Sequence, residues 1–248
     1  MVIQEFFERY PKAAIAFSGG VDSAYLLYTA VKYADKVKAY YVKSEFQPQF
    51  ELDDALHLAK ELGADMQVLT LNVLSVPHVS ANPSDRCYYC KKAIFGAITA
   101  AAAADGFTVL LDGTNASDDA GDRPGMRAQS ELSVLSPLRE CGLTKEQIRQ
   151  FSKEAGLFTW DKPAYACLAT RIPTGEEITA DKLSATEMAE DYLFSLGFTD
   201  FRVRSQEGHA RLQVPEAQLG LLLEQRKAIL ARRKGYYKTV SLDLEVRG

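Results

Sequence analysis

The sequence predicts an α/β protein: a parallel, doubly wound sheet followed by a small α+β region. Three observations carry that expectation. Over roughly the first 155 residues, short apolar or β-branched runs alternate with amphipathic stretches of helical period. The junction between an early apolar run and the helix after it is glycine-rich, Ser18-Gly19-Gly20-Val21-Asp22-Ser23. Beyond Pro173-Thr174-Gly175 the order becomes helix, two closely spaced strands, helix, strand, which places a boundary there and divides the chain into 1–173 and 174–248.

Taken in order, 13–17 is an apolar strand, and the helix after the glycines opens near Asp22 and runs to about Tyr33. A strand over 36–42, a helix over 50–62 closed by Gly63 and a strand over 66–71 follow. The next helix covers 91–104 and ends at Asp105-Gly106, before a strand over 107–111. Its alanine run, 100–104, is a good helix former and reads as a close-packing face. Thr144 and Gln147 have the spacing of a capping box, so a helix starts there and ends near Gly156. In the second region the elements are a helix over 180–196, strands over 201–205 and 211–214 joined at Glu207-Gly208, a helix over 216–233 and a strand over 238–246. In that hairpin, alternation puts Phe201, Val203, Leu212 and Val214 on one face and Arg202, Arg204 and Arg211 on the other.

At 248 residues and 47% hydrophobic content the chain can bury a sizeable core. No apolar run is long enough to span a membrane, and the N-terminus lacks the features of a signal peptide, so a cytoplasmic protein is expected. Its four cysteines are then expected to bind metal or do chemistry rather than form disulfides. The net charge of −4 is uneven: residues 201–248 carry ten Lys/Arg against five Asp/Glu, leaving −9 for the residues before them. An acidic body argues against broad nucleic-acid binding. The basic tail could meet a phosphorylated small molecule, RNA or another subunit of a homo-oligomer.

Glycines at a strand-to-helix junction let the backbone approach an anion, and the unpaired N–H groups and dipole of the helix favour negative charge there. Residues 18–23 thus read as a phosphate cradle, although an ordinary glycine-rich turn is the plain alternative. The loop fits neither the Walker A pattern nor G-x-G-x-x-G. It resembles the S-G-G-x-D-S signature of the PP-loop ATP pyrophosphatases, which transfer AMP from ATP to a substrate oxygen. That resemblance implies ATP held by Ser18, Gly19, Gly20, Val21 and Ser23, with Asp22 placing Mg²⁺.

Ligands of open α/β sheets collect beyond the carboxyl ends of the strands. One segment there, 112–119, contains Asp112-Gly113-Thr114-Asn115; its composition suits a solvated turn, but PP-loop amidating and sulfur-transferring enzymes have an equivalent D-G-T-N segment near the nucleotide. The stretch Ser136-Pro137-Leu138-Arg139-Glu140 and the capping box after it are sufficiently explained by structure alone. A third segment, 162–173, holds Cys167 between Lys162 and Arg171, cations that would stabilise a thiolate, although a lone cysteine among small apolar residues is usually inert.

The four motifs S-G-G-V-D-S, R-C-Y-Y-C, D-G-T-N and P-A-Y-A-C-L-A-T-R, in this order, resemble the LarE family of ATP-dependent sulfur insertases across nearly the whole chain. The resemblance implies adenylylation of a carboxylate of pyridinium-3,5-biscarboxylic acid mononucleotide and replacement of its oxygen by sulfur, toward the nickel-pincer nucleotide of lactate racemase. It makes Cys167 the active-site cysteine, which one branch of the family sacrifices as a sulfur source.

Here Cys87 and Cys90 add a C-x-x-C just before the helix over 91–104, where the helix dipole favours thiolates. By resemblance to three-cysteine members, Cys87, Cys90 and Cys167 would hold a [4Fe–4S] cluster whose fourth iron carries sulfide from an exogenous donor. A closed zinc site with Cys141 as fourth ligand, or a Cys87/Cys90 persulfide-shuttling redox couple, are the rival readings. Arg171, Arg202, Arg204 and Arg211 are candidate ligands for the 5′-phosphate of a nucleotide substrate, a solvated arginine face being the alternative. A PP-loop tRNA thiolase and an ammonia-dependent amide ligase share the loop chemistry; the cysteines weigh against the ligase, and the short stretch before the loop weighs against the thiolase.

Overall fold

The computed structural model describes residues 2–118 and 124–245, which form two compact units: residues up to Val73 together with Asp85–Lys162, and Leu74–Ser84 together with the residues from Pro163 onward. Asp119 and Val246, which end two of the segments read from the sequence, lie outside the described residues.

The first unit is built as α1 (Ile3–Arg9), β1 (Lys12–Ala16), α2 (Val21–Tyr33), β2 (Lys36–Lys43), α3 (Gln49–Glu61), β3 (Met66–Thr70), α4 (Arg86–Ala104), β4 (Leu110–Leu111), α5 (Pro124–Glu131), the single turn α6 (Pro137–Glu140) and α7 (Lys145–Glu154). Its sheet is parallel, in the order β3-β2-β1-β4. Because side chains alternate along a strand, Ala13, Ile15, Ala39 and Tyr41 meet Phe6, Leu26, Leu27 and Leu58 of α1, α2 and α3 on one face. Ala14, Tyr40 and Val42 meet Phe95, Ile98 and Ala102 of α4 on the other. Burial on both faces is why β1 and β2 read as apolar runs rather than alternating ones.

The differences from the sequence reading have local causes. Helix α4 begins at Arg86, not Lys91, directly after Asp85, so the C-x-x-C lies inside its first turns. Within the alanine run, Ala102 is buried and Ala100, Ala103 and Ala104 are exposed, so the run supplies helix propensity more than a packing face. Strand β4 is only two residues long, although Phe107 is buried. Helices α1, α5 and α6 are additions to the sequence reading.

The second unit comprises α8 (Ala180–Ser195), β5 (Arg202–Gln206), β6 (His209–Gln213), α9 (Leu219–Arg233) and β7 (Thr239–Leu242). β5 and β6 form an antiparallel hairpin turning at Glu207-Gly208, and β7 returns parallel to β6. Leu193, Phe198, Phe201, Val203, Leu212 and Ile229 form its core. The expected boundary at Pro173 falls inside this unit, because the segment before it is stitched to residues 74–84. Buried Asn82, at φ 54°, donates to the carbonyls of Pro173 at 2.7 Å and Glu176 at 3.2 Å, and Gly175 N donates back to Asn82 O at 2.9 Å.

Candidate active site

β1 delivers the chain to the glycine-rich turn, and α2 starts at Val21 with Gly20 as its N-cap and no side chain capping it. Its first N–H groups therefore point into the turn, which suits an anion. Gly19 has φ +74°, and a Cβ there would lie 3.3 Å from both Ala55 Cβ and Glu51 O. The Ser18 and Ser23 hydroxyls are 3.0 Å apart, and Ser23 Oγ donates to Gly20 O at 3.1 Å.

The loop after β4 is pressed against this turn. A Cβ on Gly113 would lie 2.8 Å from Ser23 N and 3.1 Å from Ser23 Cα, so only glycine fits. Asp112 is buried and accepts from Thr114 Oγ1 and Ser136 Oγ, each at 2.8 Å, and from Gln129 Nε2. Asn115 is buried too; its Oδ1 accepts from Ser117 N at 2.8 Å. The D-G-T-N segment is thus an ordered wall, not a solvated turn. A cleft of about 700 Å³ runs between the two loops, lined by Ser18, Gly20, Asp22, Ser23, Asp112 and Thr114, with Lys91 of α4 and Gln129 of α5 along it.

Asp22 shares this cleft with three other ionisable side chains, Lys91, Asp112 and Asp118. Burial pushes the Asp22 carboxyl above the ordinary carboxylate value, while the hydrogen bond and charge of Lys145 pull it back. Lys145 Nζ lies 2.6 Å from Asp22 Oδ2, and Asp22 Oδ1 is buried with no hydrogen-bond partner among the described residues. A buried carboxylate oxygen left open beside a phosphate cradle is a fitting ligand for Mg²⁺, which takes one or two carboxylates plus phosphate oxygens. Lys145, Lys91 and Gln129 escaped the sequence reading. For Lys145 the capping box that precedes it was a complete explanation: Thr144 Oγ1 does accept from Gln147 N at 3.3 Å.

In the second unit, Cys167 opens the turn Leu168–Arg171, and its carbonyl accepts from Thr170 Oγ1 at 2.8 Å. Arg171, fully buried, donates to Ala166 O at 2.8 Å and to both oxygens of Glu190, at 2.8 and 3.0 Å. Glu190 also accepts from Tyr165 Oη and from Val203 N, the latter at 2.9 Å, so one buried carboxylate organises the cysteine segment, α8 and β5. The two cations that flank Cys167 in sequence are both committed, Arg171 to Glu190 and Lys162 to Asp54 at 2.7 Å.

The hairpin register sets Arg204 opposite Arg211 and Arg202 opposite Gln213. Their local environments differ. Arg202 is buried and donates to the carbonyls of Phe201 and Ala164, each at 2.7 Å. Arg204 donates to Thr170 O and Gln213 Oε1, and with Arg171 and Arg211 it lines a cleft of about 1050 Å³. Arg202 does not line that cleft. Asp243, unnoticed in the sequence, lies 3.4 Å from Arg211 and offsets the repulsion between the opposed arginines.

Cys87 and Cys90 sit one turn apart on α4, the first exposed and the second buried, with Arg86 donating to Cys87 Sγ at 3.7 Å. Two neighbouring thiols at a helix start are a suitable donor pair for iron. Cys167 belongs to the other unit, and among the described residues no group of three or more His, Cys, Asp or Glu forms a ready metal site. Cys141 packs against the core of the first unit, and burial pushes its thiol up.

A family model described as queuosine biosynthesis protein QueC matches residues 12–86, the stretch holding the PP-loop. An uncharacterized Synechocystis protein is 38% identical over 88% of this chain and 81% of its own length. The pyridinium-3,5-bisthiocarboxylic acid mononucleotide synthase of Lactiplantibacillus plantarum is 37% identical over 94% of this chain and 86% of its own. The chain belongs to the LarE family. As a LarE-type PP-loop protein it is an ATP-dependent, sulfur-transferring enzyme, and an archaeal relative, an uncharacterized protein of Methanocaldococcus jannaschii, is 30% identical over 95% of the chain. Among the described residues, no helix is long and apolar enough to cross a membrane.

Proposed function

We propose that this enzyme uses ATP to adenylylate a carboxylate of pyridinium-3,5-biscarboxylic acid mononucleotide and exchanges the activated oxygen for sulfur, in the cytoplasm, on the route to a nickel-pincer nucleotide. The observation that carries the reading is the identity with the Lactiplantibacillus synthase over 94% of the chain. ATP lies at Ser18–Ser23 with Mg²⁺ on Asp22. The substrate carboxylate attacks the α-phosphorus, pyrophosphate leaves, and a sulfur nucleophile then displaces AMP from the mixed anhydride. Preformed N–H dipoles at the start of α2 meet the phosphate charge without having to reorganise, the usual main source of acceleration in phosphoryl transfer.

Arg204 and Arg211 grip the substrate's phosphate, with Arg171 and Arg202 shaping the strand and loop beneath them. Cys87, Cys90 and Cys167 are the thiols that would hold a [4Fe–4S] cluster. Such a cluster would supply an iron position for sulfide from an external donor, sparing Cys167.

Anaerobically purified protein given ATP, Mg²⁺, the biscarboxylate and sulfide should yield AMP, pyrophosphate and a thiocarboxylate over many turnovers; ADP and phosphate would overturn the assignment. Protein colour and multiple turnover should both vanish in Cys87→Ala. An unchanged Cys87→Ala enzyme whose Cys167 loses roughly 34 mass units as hydrogen sulfide would replace the cluster with a sacrificial cysteine, a change outside the ordinary oxidation ladder.

A further inference from the structure

The Lys145–Asp22 pair ties a residue far away in sequence to Asp22, which lines the nucleotide cleft, and a helix cap does not explain it. The backbone of Lys145 is firmly held: its N–H donates to Ser117 Oγ at 3.0 Å, and the Thr144/Gln147 capping box fixes the first turn of α7. Its side chain is 35% exposed and ends on one oxygen of Asp22, leaving the other oxygen buried and without a hydrogen-bond partner among the described residues. An ammonium is a compact charge on a flexible stem, and here it satisfies half of a carboxylate that burial would otherwise drive toward its neutral form.

A divalent cation on the open oxygen and the ammonium 2.6 Å from the other oxygen compete for a single negative charge and repel one another, so each weakens the other's hold on Asp22. Mg²⁺ arrives together with nucleotide phosphates, which are new partners for the displaced amine.

From this geometry we propose that Lys145 is the resident counter-ion of Asp22, standing in for the metal in the nucleotide-free enzyme and moving onto the nucleotide's phosphates when Mg²⁺ takes the carboxylate. The inference rests on the ATP-binding reading. It assigns Lys145 two opposed effects, competition with free metal and attraction of the metal–nucleotide complex, which a merely structural ion pair would not produce.

The test measures Mn²⁺ binding to the nucleotide-free protein by electron paramagnetic resonance, and binding of α,β-methylene-ATP with Mg²⁺ by calorimetry, in wild type, Lys145→Met and Lys145→Arg. In Lys145→Met the Mn²⁺ affinity should rise about tenfold while the nucleotide affinity falls about tenfold, each decade corresponding to about 1.4 kcal/mol. Lys145→Arg, which keeps the charge, should stay near wild type in its Mn²⁺ affinity and recover part of the nucleotide affinity. Mn²⁺ affinity unchanged or lower in Lys145→Met would overturn the proposal and leave the ATP reading standing. A wild-type protein that takes Mn²⁺ but no nucleotide would overturn the ATP reading, and the phosphate half of the proposal with it.

Discussion

The cleft of the first unit and the buried centre of the second are both polar, yet they are made in opposite ways. Around the PP-loop the chemistry is mostly backbone: bare N–H groups at the start of α2, a left-handed Gly19, and Gly113 lying where any Cβ would strike Ser23. In the second unit it is side-chain charge, with Glu190 taking Nε and Nη2 of Arg171, the Tyr165 hydroxyl and the Val203 amide inside a core. A backbone site tolerates no added atom but carries little net charge of its own. A site of buried charges tolerates no missing partner.

Removing a partner should have the largest effect. Glu190→Ala strands a guanidinium whose side chain is 0% exposed, and breaking such a pair typically costs about 3–5 kcal/mol. Urea denaturation should show that loss, while α,β-methylene-ATP binding to the other unit persists. A stability within about 1 kcal/mol of wild type would mean that Glu190 is not the organising centre of its unit.

Adding an atom comes next. Gly113→Ala forces the D-G-T-N loop away from a contact that would be 2.8 Å, and misplacement by a fraction of an ångström to 1 Å can cost about a hundredfold in rate. ATP–pyrophosphate exchange in the presence of the carboxylate substrate should fall by that order while circular dichroism keeps the helical signature. Exchange at the wild-type rate would show that the two loops need not touch for catalysis.

The smallest expected effect sharpens the boundary between the two kinds of site. Arg204→Ala removes a cleft-lining charge whose neighbours, Gln213 and Asp243, are already hydrogen-bonded to each other. Substrate binding should weaken by about 2 kcal/mol, roughly thirtyfold, through the lost charge-assisted contact, with ATP binding unmoved. Substrate affinity equal to wild type would return the hairpin to a structural role.

Much of this molecule was legible in its sequence, for reasons that are local. β1 and the middle of β2 are covered on both faces and apolar there, and the edge strand β3 still holds Met66, Val68 and Leu69, so all three could be read to within a residue or two. The PP-loop was legible because a backbone that meets an anion demands particular residues at adjacent positions. The capping box of α7 was legible for the same reason, since its partners are three residues apart.

Tertiary structure alone decided the pairings between distant residues. Nothing near Lys145 points to Asp22, nothing near Asp243 points to Arg211, and Glu190 sits on a helix like any other acidic residue until folding surrounds it with four donors. Alternation along β5 and β6 placed Arg202, Arg204 and Arg211 on the face away from Val203 and Leu212, but it could not tell buried Arg202 from cleft-lining Arg204, because the strand period fixes a face and not what covers it. Residues 74–84 joined the second unit through Asn82, a long-range contact with no periodicity to announce it. Spacing along a chain reports what the backbone must do locally; which charges meet is settled only when the chain closes on itself.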